Sequence, residues 1–154
     1  MKLAGTEFGK NMRVRVIMFA MMGMGYDVLV TTVQQVLGGH LNIHAIQTAS
    51  TWMLLVYGTI PFVVYPVQVF LKKIGVQRLG NPLVFLLLFY LAEYLWGTLF
   101  HQMGIKAWDY NWYTPSAFNT TNGYVSFHPG IILTWFIFVI LAESLDSKLR
   151  EMTL

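Results

Sequence analysis

The sequence contains no cysteine, which excludes disulfides, thiolate metal sites and cysteine nucleophiles. Charge is nearly as scarce: 11% of residues are Asp, Glu, Lys or Arg, against about a quarter in an ordinary soluble domain. A net charge of +3 gives no reason to expect a nucleic-acid partner. No phosphate-binding glycine loop, Ser-His-Asp arrangement or strong metal motif is present, and no cofactor is expected. What remains is a chain of 154 residues that is 56% hydrophobic, with mean hydropathy +0.55. These values predict an integral membrane protein forming one domain over residues 1–154.

A spanning helix needs about 20 mainly apolar residues. Four stretches meet or approach this, at about 14–36, 51–71, 82–103 and 129–145. The expected fold is therefore all-α, a polytopic bundle of four transmembrane helices. Residues 1–12 are short and polar, and no clear cleavage site follows, so the first apolar run reads as a retained span. Lys2, Lys10, Arg13 and Arg15 precede or open the first span, Lys72, Lys73 and Arg78 separate the second from the third, and Lys148 and Arg150 follow the fourth. Only Lys106 falls on the other side, so the positive-inside rule predicts cytoplasmic termini. Glu143 and Asp146, close to Lys148 and Arg150, read as a solvated helix end.

The stretch 93–112 concentrates the polar chemistry. Glu93 stands in an apolar run, with Gly97 and His101 following at four-residue spacing on the same helix face. An ionisable residue inside a span is a functional candidate by default. The first span holds Asp27, flanked at four-residue spacing by Gly23 and Thr31, with Gln34 and Gln35 extending the stripe. The halves also resemble each other. Asp27 to Thr32 aligns with Glu93 to Thr98, and Thr51-Trp52 aligns with Thr134-Trp135. A parallel two-fold internal repeat would put both acids roughly 17–20 Å from the cytoplasmic end, facing one pocket. The plainer reading makes them protonated structural glue between helices.

Two outer loops are expected, at 37–50 and 104–128. The second carries Trp108, Asp109, Tyr110, Trp112, Tyr113, Phe118, Tyr124 and Phe127. It reads either as an interfacial aromatic belt or as a folded lid. In the lid reading Asp109 anchors the outer mouth above Glu93, with histidines, indole N–H groups and backbone amides as donors. His40, His44, His101 and His128 all fall near the outer face, where interface hydrogen bonding is the plainer role and a metal site the sharper one. Asn119-Thr120-Thr121 matches the glycosylation sequon, a common chance match.

The pattern Glu93, Gly97, His101-Gln102 and Trp108-Asp109-Tyr110 resembles the signature region of the type-IV ABC-transporter family (CmpB-like) and its animal relatives, the transmembrane-protein-229 group. Gly25, Asp27 and Thr31 resemble the first-helix pattern of that family, and Tyr57-Gly58-Thr59 the second. The likeness covers roughly residues 13–143, with Asp27 where Glu is usual, His101 where Arg is common and a longer loop after Tyr110. It implies a four-helix membrane protein without supplying an activity. Small membrane proteins of carotenoid biosynthesis, the hydratases and lycopene-cyclase domains, are similar more loosely, through Glu93, the turn at 104–108, Pro129 and Trp135-Phe136.

The candidate binding residues are Asp27, Thr31, Glu93, Gly97, His101, Trp108, Asp109 and Tyr110, with Asp27 and Glu93 also the candidate catalytic pair. The function they suggest is a polar pocket in the bundle that binds or transports a small or lipid-like molecule. The alternative is a membrane enzyme performing cyclisation, hydration or isomerisation on an isoprenoid or other lipid. A neutral carboxyl would protonate an alkene, aromatic rings would stabilise the cation, and the second carboxyl would take a proton back. An accessory subunit with no chemistry is the third reading. Besides the bilayer, the expected partners are a lipid or isoprenoid ligand and either further copies of the chain or a membrane partner subunit.

Overall fold

In the computed structural model the described residues are 8–37, 50–76, 80–112, 114–120 and 122–152. They form five α-helices: α1 Met12–Leu37, α2 Met53–Gly58, α3 Ile60–Lys73, α4 Asn81–Gln102 and α5 Pro129–Glu151. Two short 3₁₀ turns, Tyr110–Trp112 and Ser116–Phe118, lie between α4 and α5. No β-strand occurs among the described residues, only one isolated bridge between Asn119 and Ser126. Helices α1, α4 and α5, with α2 and α3 counted as one broken span over Met53–Lys73, are long and apolar enough to cross a membrane. The fold is thus the expected all-α bundle of four spans. The first outer loop, with His40 and His44, lies mostly outside the described residues, as does Thr121 of the sequon.

The second span breaks at Thr59, and Pro61 explains why. Proline has no N–H to bond the Tyr57 carbonyl, and its ring crowds that carbonyl. The chain recovers through shorter bonds, from Thr59 N to Val56 O at 3.2 Å and from Phe62 N to Thr59 O at 3.1 Å. Aromatic rings fill the centre. Phe138 of α5 packs against Tyr57, Tyr26 and Phe89 at centroid distances of 5.5, 5.0 and 5.6 Å, and Trp135 against Phe89 at 4.5 Å. Glycine permits the closest approach: the Tyr57 ring lies where a Cβ on Gly23 would stand. Tyr26 ties α1 to α5 by donating its hydroxyl to the Thr134 carbonyl at 2.6 Å.

The α5 terminus differs from the solvated end expected of it, because Asp146 is fully buried and ion-paired to an equally buried Arg15 at 2.6 Å. Arg15 also donates to the Phe8 carbonyl at 2.7 Å and the Pro61 carbonyl at 3.0 Å. Arg150 completes the cluster, reaching Asp146 at 2.9 Å and Gln68 at 2.9 Å while lying 4.4 Å over the Tyr65 ring. With its acid neutralised in this way, α5 runs to Glu151, past the expected end near residue 145. Asn11 donates from one amide to the Leu149 and Met152 carbonyls, both at 2.8 Å, which puts the start of α1 and the end of α5 on the same side of the bundle.

Removing one member of a fully buried ion pair strands the other charge and costs about 3–5 kcal/mol. Asp146→Leu is therefore expected to lower the thermal unfolding midpoint in detergent sharply, since it leaves the buried Arg15 only the Phe8 and Pro61 carbonyls, whereas Arg15→Leu would leave Asp146 still paired with Arg150. Arg15→Leu combined with Asp146→Leu should recover much of the loss. Equal damage from the single and double variants would show that Asp146 is not what Arg15 neutralises.

Candidate functional site

Helix α4 ends at Gly104, whose φ of +72° suits glycine. The amide of Ile105 bonds the Phe100 carbonyl at 2.8 Å and that of Gly104 the His101 carbonyl at 3.0 Å, so the last turn closes on itself and the chain reverses over the bundle. The returning segment is a folded lid. Tyr110 N–H bonds the Gly123 carbonyl at 2.8 Å, Trp108 Nε1 the Tyr124 carbonyl at 2.9 Å, and Thr120 and Val125 pair at 2.9 Å. Thr114, Asn119 and Ser126 join beneath it in a side-chain network with spacings of 2.8 and 3.2 Å. Tyr124 sits on Gly97, in space that any Cβ there would occupy.

The lid's main product is the placement of Tyr110. Its hydroxyl donates to Glu93 Oε1 at 2.6 Å and accepts from Trp135 Nε1 at 2.8 Å. Indole offers only a donor, so the direction of this relay is fixed: Trp135 to Tyr110 to Glu93. Burial pushes the Tyr110 phenol well above its usual range; Glu93 adds to this, and Asp27 contributes further. Both acids thus act electrostatically on one hydroxyl. Asp27 has its own tyrosine, accepting from Tyr57 at 2.5 Å. The two carboxyls are held alike, although the two halves differ in detail. Trp52 is 41% exposed and packs at a tilt against Phe100, whereas its counterpart Trp135 is 4% exposed.

Glu93 Oε2 is buried and has no hydrogen-bond partner. Glu93 forms part of the wall of a crevice of about 80 Å³ between the broken α2–α3 span, α4 and α5. That volume exceeds the roughly 10–15 Å³ a single water needs. Apart from Thr59, Glu93 and Glu143, the walls are apolar, with Phe85, Phe89 and Phe138 prominent. Val63, also in the wall, is 46% exposed, so the crevice opens sideways toward the space the bilayer would fill.

Of the candidate binding residues, Glu93 alone lines this crevice, and Tyr110 bonds it from above. Asp27 lies apart from the wall, and Thr31 turns its hydroxyl back to the Asp27 carbonyl at 2.7 Å. Gly97 and Trp108 serve the lid. His101 is exposed, its ring 6.0 Å from Tyr124. Asp109 is 5% exposed, pairs with Lys106 at 2.7 Å and accepts from the Asn111 amide at 2.9 Å, so its donors are an ammonium and a backbone N–H rather than histidine or indole. Gly123, at φ +69°, packs so closely that a Cβ would strike Asp109 and Asn111. His128 caps α5 by accepting from the Gly130 amide at 3.3 Å. Sequence reasoning missed Trp135 as a partner of Tyr110, Thr59 at the helix break and Glu143 as a second crevice acid. The position of Pro61, two residues after Thr59, was the available signal for the break.

Compared with family models, curated proteins and solved structures, the chain matches none.

Tyr110→Phe removes the donor to Glu93 and orphans the Trp135 N–H, at a cost of about 1–3 kcal/mol. Its melting temperature should fall clearly. Asp109→Asn should also lower it, because the Lys106 pair goes while the turn bond stays. Glu93→Gln keeps an acceptor for Tyr110 and should melt no lower than the parent. If Asp109→Asn leaves the melting temperature unchanged, the anchoring role of Asp109 is wrong.

Proposed function

We propose that this protein binds a lipid-like molecule that enters the crevice from the bilayer and presents its polar group to Glu93. The observation that carries this reading is the buried, unpartnered Oε2 of Glu93 on the wall of a largely apolar crevice. A buried polar atom without a partner is costly, and a ligand group that bonds it recovers that cost. Apolar surroundings with a few convergent polar groups are the usual make-up of a small-molecule site. The opening beside Val63 favours a ligand with a hydrocarbon tail that stays in the membrane. Transport across the membrane would need more than four helices, hence further copies of the chain or a partner subunit.

The enzyme reading keeps one specific observation in its favour. The fixed relay from Trp135 through Tyr110 occupies Oε1, so the proton of a neutral Glu93 belongs on the unbonded Oε2. Such a group could protonate an alkene between Phe89 and Phe138. The second carboxyl on the crevice wall is Glu143 rather than Asp27.

The orientation we infer has both termini in the cytoplasm, supported by the Lys and Arg distribution. The cysteine-free sequence makes the test direct. Ser116→Cys should react with a membrane-impermeant maleimide applied from outside and Val76→Cys should not; the reverse pattern would invert the topology.

Binding can be tested with a diazirine-bearing alkyl lipid crosslinked in nanodiscs and mapped by mass spectrometry. Labels should concentrate on Val63, Val139 and Ala142 and be lost from the crevice in Ala142→Phe. Uniform labelling over every outward apolar face, unaffected by Ala142→Phe, would sink the reading.

A further inference from the structure

Among the described residues the crevice is lined by acceptors and aromatic rings and by no basic side chain. Its polar groups are two carboxyls, Glu93 and Glu143, and Thr59, whose hydroxyl proton is already given to the Val56 carbonyl at 2.6 Å. Glu143 accepts a long bond from Asn81, at 3.3 Å. Phe85, Phe89 and Phe138 supply three aromatic rings between the two acids. From Glu93 to Phe85 is eight residues, so the lined stretch runs about 12 Å along α4.

A carboxylate or phosphate head group at Glu93 would meet an acid and no described cation to neutralise it, with a second acid, Glu143, farther along the crevice. A positive head group there would meet a carboxyl among aromatic rings, the combination that attracts organic cations. We propose that the occupant is an organic cation with a hydrocarbon tail, an alkylammonium amphiphile, and that it binds in exchange for the proton of Glu93. This inference rests on the reading that the crevice holds an amphiphile.

The exchange is simple to balance. In the empty site an ionised Glu93 would be an unpaired charge with one unbonded oxygen in apolar surroundings, so the neutral acid is the resting form. When the cation enters, the O–H bond at Oε2 breaks, the proton leaves to buffer, and the carboxylate left behind pairs with the ammonium. No net charge is added to the interior. The groups within reach of Glu93 do not supply a competing cation. Tyr110 approaches from the lid, Tyr57 from α2, Asp27 from α1 and Tyr90 lies on the same helix, while Glu143 on α5 lines the crevice beside Asn81, about 18 Å farther along α4. Each is neutral or acidic.

The test uses the full chain in nanodiscs and three probes with one tail: radiolabelled dodecyltrimethylammonium, dodecanol and dodecyl sulfate, each measured against empty nanodiscs. The ammonium probe should bind saturably and the sulfate should not. Affinity for the ammonium should rise toward about tenfold per pH unit while Glu93 is protonated in the empty protein, with about one proton released per cation bound. Glu93→Gln should abolish saturable ammonium binding and its pH dependence, and Glu143→Gln should weaken binding at least threefold. Melting curves of both variants check that they fold; should Glu93→Gln fail to fold, the pH dependence and proton release of the parent protein decide. Dodecanol binding as tightly as the ammonium, or ammonium binding without proton release, would overturn the cation inference while leaving an amphiphile site in place. Saturable binding of none of the three would overturn both.

Discussion

A carboxyl group halfway along an apolar helix must be satisfied without water, and the lid half of this structure is arranged around that requirement. Glu93 cannot reach a backbone donor, because helical N–H groups are already used within α4. A donor has to be delivered from elsewhere. The chain supplies it by ending α4 at Gly104, turning back, and lowering Tyr110 from the lid into the bundle. Three glycines make the return feasible: Gly104 takes the left-handed turn, Gly97 leaves room for Tyr124, and Gly123 lets the hairpin pass over Asp109. Trp108 and Thr114 then fix the hairpin by bonds within itself. The aromatic richness of the loop is thus tied to one buried hydrogen bond as much as to a membrane interface.

The opposite end is closed by charge. Arg15 collects Asp146, Pro61 and Phe8, holding α1, α3, α5 and the N-terminal turn in one cluster. A guanidinium suits this position because its planar fork can serve several acceptors at once. The carbonyl of Pro61 lies just past the break at Thr59, so the clamp also holds the broken span against α1. Between a lid at one end and an ion cluster at the other, the bundle leaves one side open, where α3 and α4 are only sparsely in contact. That is where the crevice lies, on the side away from α1.

The spans, their number and the shared side of the termini were legible in the sequence because they depend on length, hydropathy and charge, which are local quantities. Asp27 and Glu93 stood out for the same reason, as acids in apolar runs. Their partners did not. Tyr57 lies thirty residues from Asp27, and Tyr110 seventeen from Glu93, across turns whose geometry no periodicity reports. Asp146 misled because Lys148 and Arg150 made it look like one of several surface charges, while its decisive partner, Arg15, is 131 residues away. The lid was readable as a fold-back through Gly104, but the donors to Asp109 were not, since Lys106 at i−3 became available only once the turn had formed.

The two halves show how similar chemistry can diverge in role. Asp27 and Glu93 each accept from a buried tyrosine, so each has one oxygen bonded in the same manner. The difference lies in what surrounds the other oxygen. Tyr57 reaches Asp27 from the adjacent span, and that span packs directly on α1 through Gly23, while Asp27 itself stays partly exposed. Tyr110 reaches Glu93 from above, through the lid, so no span has to press against that face of α4 to make the bond. Beside Glu93 the broken span, α4 and α5 leave a crevice, with Thr59 at the break among its walls. A donor brought in from the lid therefore leaves Glu93 almost fully buried with one oxygen unbonded, whereas Asp27 takes its donor from a neighbouring helix and stays partly exposed.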